Sequence, residues 1–194
     1  MTTTPTAPTL ADLSGSYTID PVHTEIGFVA RHAMVTKVRG RFNEFEGSGV
    51  VDGDDFAKSS VNLTIDAKSI DTRNEQRDGH LRSNDFLSMD EYPQITFRST
   101  AIRQSSDTTL DLTGDLTIKG VAKSITIPFE YQGQATDPFG NVRAGFEGST
   151  VINRKDYGIT WNATLETGGV LVSEKVTLDI DISAIKQESA QPSA

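Results

Sequence analysis

Leu110-Asp111-Leu112-Thr113-Gly114-Asp115-Leu116-Thr117-Ile118-Lys119-Gly120-Val121-Ala122-Lys123-Ser124-Ile125-Thr126-Ile127-Pro128-Phe129-Glu130-Tyr131 is the stretch that decides the fold class. Leu110, Leu112, Leu116 and Ile118 share one parity, and Asp111, Thr113, Asp115 and Thr117 take the other. After Lys119-Gly120 the same alternation returns in Ile125, Ile127, Phe129 and Tyr131. A period of two is the period of a strand with one buried and one wet face. A two-residue link ending in glycine leaves room only for an antiparallel hairpin.

Outward from this hairpin the pattern persists. Val61/Leu63/Ile65, Ile26/Phe28/Ala30, Ile95/Phe97, Val142/Ala144/Phe146 and Val176/Leu178/Ile180/Ile182 alternate with polar residues and are rich in β-branched and aromatic side chains. Asp52-Gly53 reads as a hairpin dipeptide, and Asp137-Pro138-Phe139-Gly140-Asn141 as a turn. Neighbouring strands are therefore expected to pair in sequence order. Many strands in series must close or stack to remove their edges, and a single antiparallel barrel of about eight strands is the natural solution.

One stretch breaks the period. Thr72-Arg73-Asn74-Glu75 fits a capping box, followed by a helix through Gln76, Arg77, His80 and Leu81 and a second short turn carrying Phe86, Leu87 and Met89. This short helical insert, apolar on one side, is expected to cover a barrel mouth. The opening residues are rich in Thr, Pro and Ala, and the last are small and polar. The expected division is a loose tail over 1–14, one barrel domain over 15–186 and a second tail over 187–194.

The 194 residues suffice for one domain with a real core. A net charge of -9 argues against a nucleic-acid partner and disfavours an anionic membrane surface. Lys37, Arg39 and Arg41 read as the wet face of one strand. The absence of cysteine removes disulfides and thiolate chemistry. The opening lacks a basic and an apolar leader region, and no apolar run is long enough for a transmembrane helix, so a cytoplasmic protein without stable membrane insertion is expected.

Catalytic chemistry finds little support. His23 and His32, nine apart on what reads as one strand, point to opposite faces and cannot easily share a metal, and His80 reads as a polar residue in the insert. Asp52-Gly53-Asp54-Asp55 approaches a calcium loop until Phe56 takes the third ligand position. No phosphate-binding glycine loop or nucleophile elbow is present. No catalytic residue, metal or cofactor is expected. The alternating apolar residues fit either a packed core or a ligand cavity, because periodicity does not reveal a hole.

The residues also carry a resemblance. Asp20-Pro21-Val22-His23-Thr24-Glu25-Ile26-Gly27-Phe28, Val38-Arg39-Gly40-Arg41-Phe42, Asn74 to Leu87, Tyr92-Pro93-Gln94-Ile95-Thr96-Phe97, Gly114 to Gly120 and Asn153-Arg154-Lys155-Asp156-Tyr157-Gly158-Ile159 resemble, in order, the segments of YceI-like proteins. The resemblance spans about Gly15 to Lys186 and implies a lipocalin-like barrel that binds a polyisoprenoid or similar long-chain molecule, lipid or quinone-like, without catalysis. The chain would lie along Phe28, Phe42, Ile95, Phe97, Leu110, Leu112, Ile127, Phe129, Phe146, Trp161, Leu178 and Ile180, with Arg31, His32, His80 and Arg154 orienting the head at the mouth. The competing readings are an enzyme acting on a bound lipid's head group, which needs a histidine and a carboxylate paired beside the cavity, and a packed interaction module, a homodimer among its forms.

Overall fold

The computed structural model describes residues 9 to 189. The alternating runs form strands β1 (Gly15–Ile19), β2 (Glu25–His32), β3 (Thr36–Phe42), β4 (Phe45–Val51), β5 (Ser60–Asp66), β6 (Ile70–Asp71), β7 (Gln94–Gln104), β8 (Thr109–Ile118), β9 (Val121–Thr136), β10 (Val142–Asn153) and β11 (Lys175–Lys186), with helix α1 (Glu75–Arg82) between β6 and β7. β1, β4, β5, β7, β8, β9, β10 and β11 pair edge to edge into a closed antiparallel ring, completed by Tyr17–Ile19 against Ala184–Lys186. Closure leaves this eight-stranded ring without a free edge.

At the β8–β9 hairpin Lys119 (φ 51°) and Gly120 (φ 74°) both sit in the left-handed region, the turn whose twist matches that of the strands it joins. In the β9–β10 turn the Asp137 carboxylate accepts the backbone N–H groups of Phe139 and Asn141, each at 2.9 Å. Asp52-Gly53, by contrast, is no two-residue hairpin. Its loop runs to Ser59, because the Asp52 carboxylate captures the N–H groups of Asp54 and Asp55 and a 3-10 turn over Phe56–Lys58 follows.

Pairing in sequence order also fails between β1 and β2, β3 and β4, β5 and β6, and β6 and β7. β1 and β2 lie on the same edge of β11, against Ala184–Lys186 and Thr177–Asp181 respectively, and behave as one strand bent at residues 20–24. The bend is held from far along the chain: the Asp20 N–H donates to the Ser183 carbonyl (2.8 Å), and Thr24 Oγ1 accepts the Ser183 N–H (3.0 Å). β3 then pairs with β2 and β6 rather than with β4. His23 therefore lies in the bend and not on a strand with His32, and its Nδ1 is 2.6 Å from an Asp20 oxygen.

The predicted capping box is also displaced. Asn74 is the N-cap of α1, its side chain accepting the Arg77 N–H at 2.9 Å. Thr72 instead gives its N–H to the Asp78 carboxylate at 2.9 Å, so the residue that α1 itself buries is an acid. The apolar side of the insert comes from Leu81 and the following Phe86, Leu87 and Met89, which pack on the barrel core.

The expected N-terminal tail does not extend to residue 14. Leu10–Leu13 form a 3-10 turn whose two leucines, 2% and 1% exposed, pack with Tyr17, Phe56, Ile102, Leu110 and Tyr131 and stop one end of the barrel. Two apolar side chains that fit the end of a ring outweigh the low propensity of the segment around them. At the other terminus the Gln187 N–H donates to the Ser16 carbonyl at 2.8 Å, and residues 190–194 of the expected tail lie outside the described residues.

Three inward glycines shape the interior. A Cβ on Gly40 would meet the Phe28 ring at 2.3 Å, one on Gly148 the Phe129 ring at 2.5 Å, and one on Gly114 the Phe97 ring at 2.5 Å. Each ring occupies the space that a side chain at the glycine would otherwise take.

Candidate functional site: an apolar barrel lumen

With glycine under three of the large rings, the inward side chains leave a cavity of about 310 Å³. Along β11 its lining runs from Val176 to Ala184, roughly 26 Å of strand at about 3.3 Å per residue. Phe28, Phe42, Ile95, Phe97, Leu110, Leu112, Ile127, Phe129, Phe146, Leu178 and Ile180, the strand residues expected to meet a ligand, all line it. Val61, Leu63, Ile65, Ile118, Ile125, Ile152 and Ile182 line it too, and the parity that singled out the first set would have found them. One end is covered by Leu81, Phe86 and Leu87 of the insert together with Tyr157 and Ile159. The interior thus holds space that its own side chains do not fill.

The remaining expected residues are placed differently. Trp161 is not on a strand and does not line the lumen. It packs edge-on against His80 (centroids 4.7 Å) and lies 5.4 Å from Phe86, forming the outer layer of the cap. Arg31 and His32 are exposed at the end of β2 and do not line the lumen. His80 lies between Phe86 and Trp161 in edge-to-face contact with both, with Nε2 2.8 Å from an Asp85 oxygen.

Arg154 is buried, 4% exposed, rather than standing at an open mouth. Its Nε donates to the Ser173 carbonyl (2.9 Å), and its terminal nitrogens donate to the carbonyls of Ile159 (2.8 Å) and Val172 (3.4 Å). The guanidinium therefore pins the irregular 159–173 segment and offers the lumen mainly its stem. Burial lowers its pKa, with the Glu174 charge acting in the opposite direction.

The lumen wall presents almost no polar atoms to the cavity. Tyr17 and Tyr157 contribute ring surface, while their hydroxyls are buried without a hydrogen-bond partner. Burial, followed by the charge of Asp156, pushes Tyr157 up to about 12. Polar groups gather instead in a recess of about 400 Å³ lined by His23, Glu25, Arg41, Asn43 and Asp181, and Phe42 lines both recess and lumen. Beside it Arg143 bridges the Asp20 and Asp137 carboxylates. Burial works against the Asp20 charge, yet donors from His23, Arg143 and the Val22 N–H hold its pKa below the usual range. Asp137 is held well below that range by Asn141 and, against a burial penalty, by Arg143.

Neither histidine–carboxylate pair, His23 with Asp20 or His80 with Asp85, has its imidazole in the lumen wall. Among the described residues no three metal-ligating side chains converge, and no helix is long and apolar enough to cross a membrane.

Comparison with known proteins agrees with this architecture. Residues 17–184 match the model of the YceI-like domain. A UPF0312 protein of Pseudomonas paraeruginosa is 38% identical over 177 residues, 90% of this chain and 89% of that protein. Among solved structures, BcnA of Burkholderia cenocepacia superposes with a TM-score of 0.75 at 24% identity, covering 85% of this chain and 98% of BcnA. A polyisoprenoid binding domain from Saccharophagus degradans, implicated in plant cell wall breakdown, gives a TM-score of 0.66 at 17% identity, covering 88% of this chain and 98% of that one. With the domain model matched over nearly the whole barrel, the chain belongs to the YceI-like family.

Proposed function

We propose that the protein binds a long-chain isoprenoid or similar apolar lipid in the barrel lumen, without catalysis, as a carrier, store or shield. The observation that carries this reading is a long cavity bounded almost wholly by carbon. Each buried methylene contributes about 0.8 kcal/mol, while association costs roughly 4–15 kcal/mol, so micromolar affinity needs about 15 carbons at the low end of that cost and roughly 20 or more at its middle. Short apolar molecules would bind weakly.

A polar head has no partner inside the lumen, and burying one unpaired costs about 2–7 kcal/mol. The head therefore stays at an opening, and the recess across Phe42 supplies donors and acceptors for a quinone-like or hydroxyl group. The polyisoprenoid-binding name of the Saccharophagus relative supports the same ligand class. Mass spectrometry of an organic extract of the purified protein tests the reading. A stoichiometric long-chain lipid is expected, whereas an empty extract together with no uptake of an added long-chain quinone would overturn it.

One observation favours the alternative of an enzyme working on a lipid head: His80 and Asp85 are hydrogen-bonded in the cap. The nearby Ser83 hydroxyl donates to the His80 carbonyl at 2.6 Å and is thus engaged elsewhere than at the imidazole. Release of a head group that His80→Ala abolishes would establish this second reading.

A further inference from the structure

The hairpin formed by β2 and β3 carries a surface that lumen binding does not use. Arg31 lies directly across from Lys37 in the strand register, and Arg39, two residues beyond Lys37, shares their outer face. All three are exposed, and none is ion-paired among the described residues. Like charges placed opposite one another repel, so the free protein keeps an uncompensated cationic patch. At the tip, Ala33 (φ 47°) and Met34 (φ 62°) both adopt the left-handed conformation, and the Ala33 N–H donates to the Leu171 carbonyl at 2.7 Å. Met34 and Val35 are 54% and 75% exposed, and Val170 stands exposed on the adjoining segment.

Of the carboxylates on this wall, Glu174, next to the Ser173 that hydrogen-bonds Arg31, is paired with Lys155, and Asp179 lies mid-wall in register with Gly27. The remainder, unpaired among the described residues, sit towards the opposite end. Glu147, Asp181 and Glu25 follow one another across β10, β11 and β2 in direct register. The face is thus polarised along β2 despite the net charge of -9: carboxylates at its start, cations and apolar side chains at its end. Exposed charges are screened beyond about 8–10 Å, so the local patch and not the total charge governs a close approach. Ala30 and Val172, beside the tip, line the lumen, which puts this surface next to the cargo space.

We propose that the tip of the β2–β3 hairpin docks the protein onto an anionic lipid bilayer, Arg31, Lys37 and Arg39 contacting headgroup phosphates while Met34, Val35 and Val170 enter the interface. An acidic protein would satisfy the cations but leave three exposed apolar side chains unexplained, whereas a bilayer takes both. The inference builds on the lipid-binding reading, since docking gives the cargo its route, but it is measured independently of any cargo.

The test is co-sedimentation of the full chain with vesicles of phosphatidylcholine alone or mixed with phosphatidylglycerol at about three to one. Binding only to the mixed vesicles is expected, weakening as salt rises. Each cation lost should lower the partition coefficient roughly fivefold, so R31Q/K37Q/R39Q should bind about a hundredfold more weakly, while K58Q/R103Q/R98Q on the β5–β7 side should match wild type. Met34→Asp should also weaken binding. Equal binding to both vesicle types, equal loss in the two triple variants, or binding to poly-glutamate with none to the mixed vesicles would each overturn the proposal. Hairpin-dependent vesicle binding by a protein whose organic extract proves empty would uphold the docking surface while removing the cargo reading.

Discussion

Gly148→Ala is the sharpest probe of how the lumen is kept open. The added methyl carbon would lie 2.5 Å from two atoms of the Phe129 ring, its direct cross-strand neighbour. Carbon atoms rest at about 3.5–4.0 Å, so the ring must withdraw by roughly 1–1.5 Å. In a packed core such an insertion costs about 1–3 kcal/mol. Here the ring can swing into the cavity instead, at an off-rotamer cost of about 0.5–1.5 kcal/mol, partly offset by the roughly 0.4–1 kcal/mol gained when glycine is replaced at a compatible backbone. The net loss of stability should stay near or below 1 kcal/mol, a Tm decrease of about 2–4 °C or less for a chain of this size. Ligand affinity should fall much further, because the displaced ring occupies lumen volume, and G148A/F129L should recover most of it. Thermal unfolding and titration with a fluorescent long-chain polyene read the two effects. A loss above about 3 kcal/mol with unchanged polyene affinity would show that the ring has nowhere to go and would refute the open lumen.

Three further outcomes are expected. Leu112→Trp should abolish uptake of the same polyene at less than the roughly 1–3 kcal/mol of an overpacked core, while outward-facing Thr113→Trp leaves uptake near wild type; the reverse order would show the inward parity to be wrong. Asp20 and Asp137 have depressed pKa values in the fold, so their stabilising contribution is complete above the unfolded value and fades as pH falls through the folded ones. The Tm gap between wild type and Arg143→Gln should accordingly be full at pH 7 and shrink below about pH 4, and a gap independent of pH would exclude the ion-pair account. Tyr157→Phe removes a buried hydroxyl without a partner and should be neutral or stabilising by about 1 kcal/mol; a clear destabilisation in calorimetry would mean that the hydroxyl has a partner after all.

What could be read in the sequence divides along the range of the interactions involved. Strand parity and the Lys119-Gly120 turn depend on neighbours a few residues apart, and both appear in the structure as the sequence implies. The bend between β1 and β2 depends on Asp20 and Thr24 meeting Ser183, about 160 residues away, and no local pattern announces it. The 3-10 turn at Leu10–Leu13 has too few residues to show a period, and only the barrel end it fills gives it a reason to fold. Thr72 had the spacing of a capping box, but Asn74 competed for the same role two residues later and Asp78 claimed the Thr72 N–H. Register shifts within β7 and between β9 and β10 were equally silent, although the first moves Ile102 onto the inward side after Ile95 and Phe97.

The site divides in the same way. Inward apolar residues are legible because a lumen wall obeys the strand period, whereas the polar candidates rest on residue type, which does not fix direction. Arg154 shows the difference: a cation beside an apolar cavity suggests a head-group partner, yet its nitrogens are taken up by the carbonyls of Ser173, Ile159 and Val172. Hydrogen bonds to backbone are what a buried guanidinium without an ion pair needs, and once made they withdraw it from the lumen. On the proposed lipid-binding reading the same step bears on selectivity: a wall with almost no accessible polar atoms would discriminate by chain length and cross-section, leaving recognition of the head to groups outside the lumen, such as those of the polar recess across Phe42.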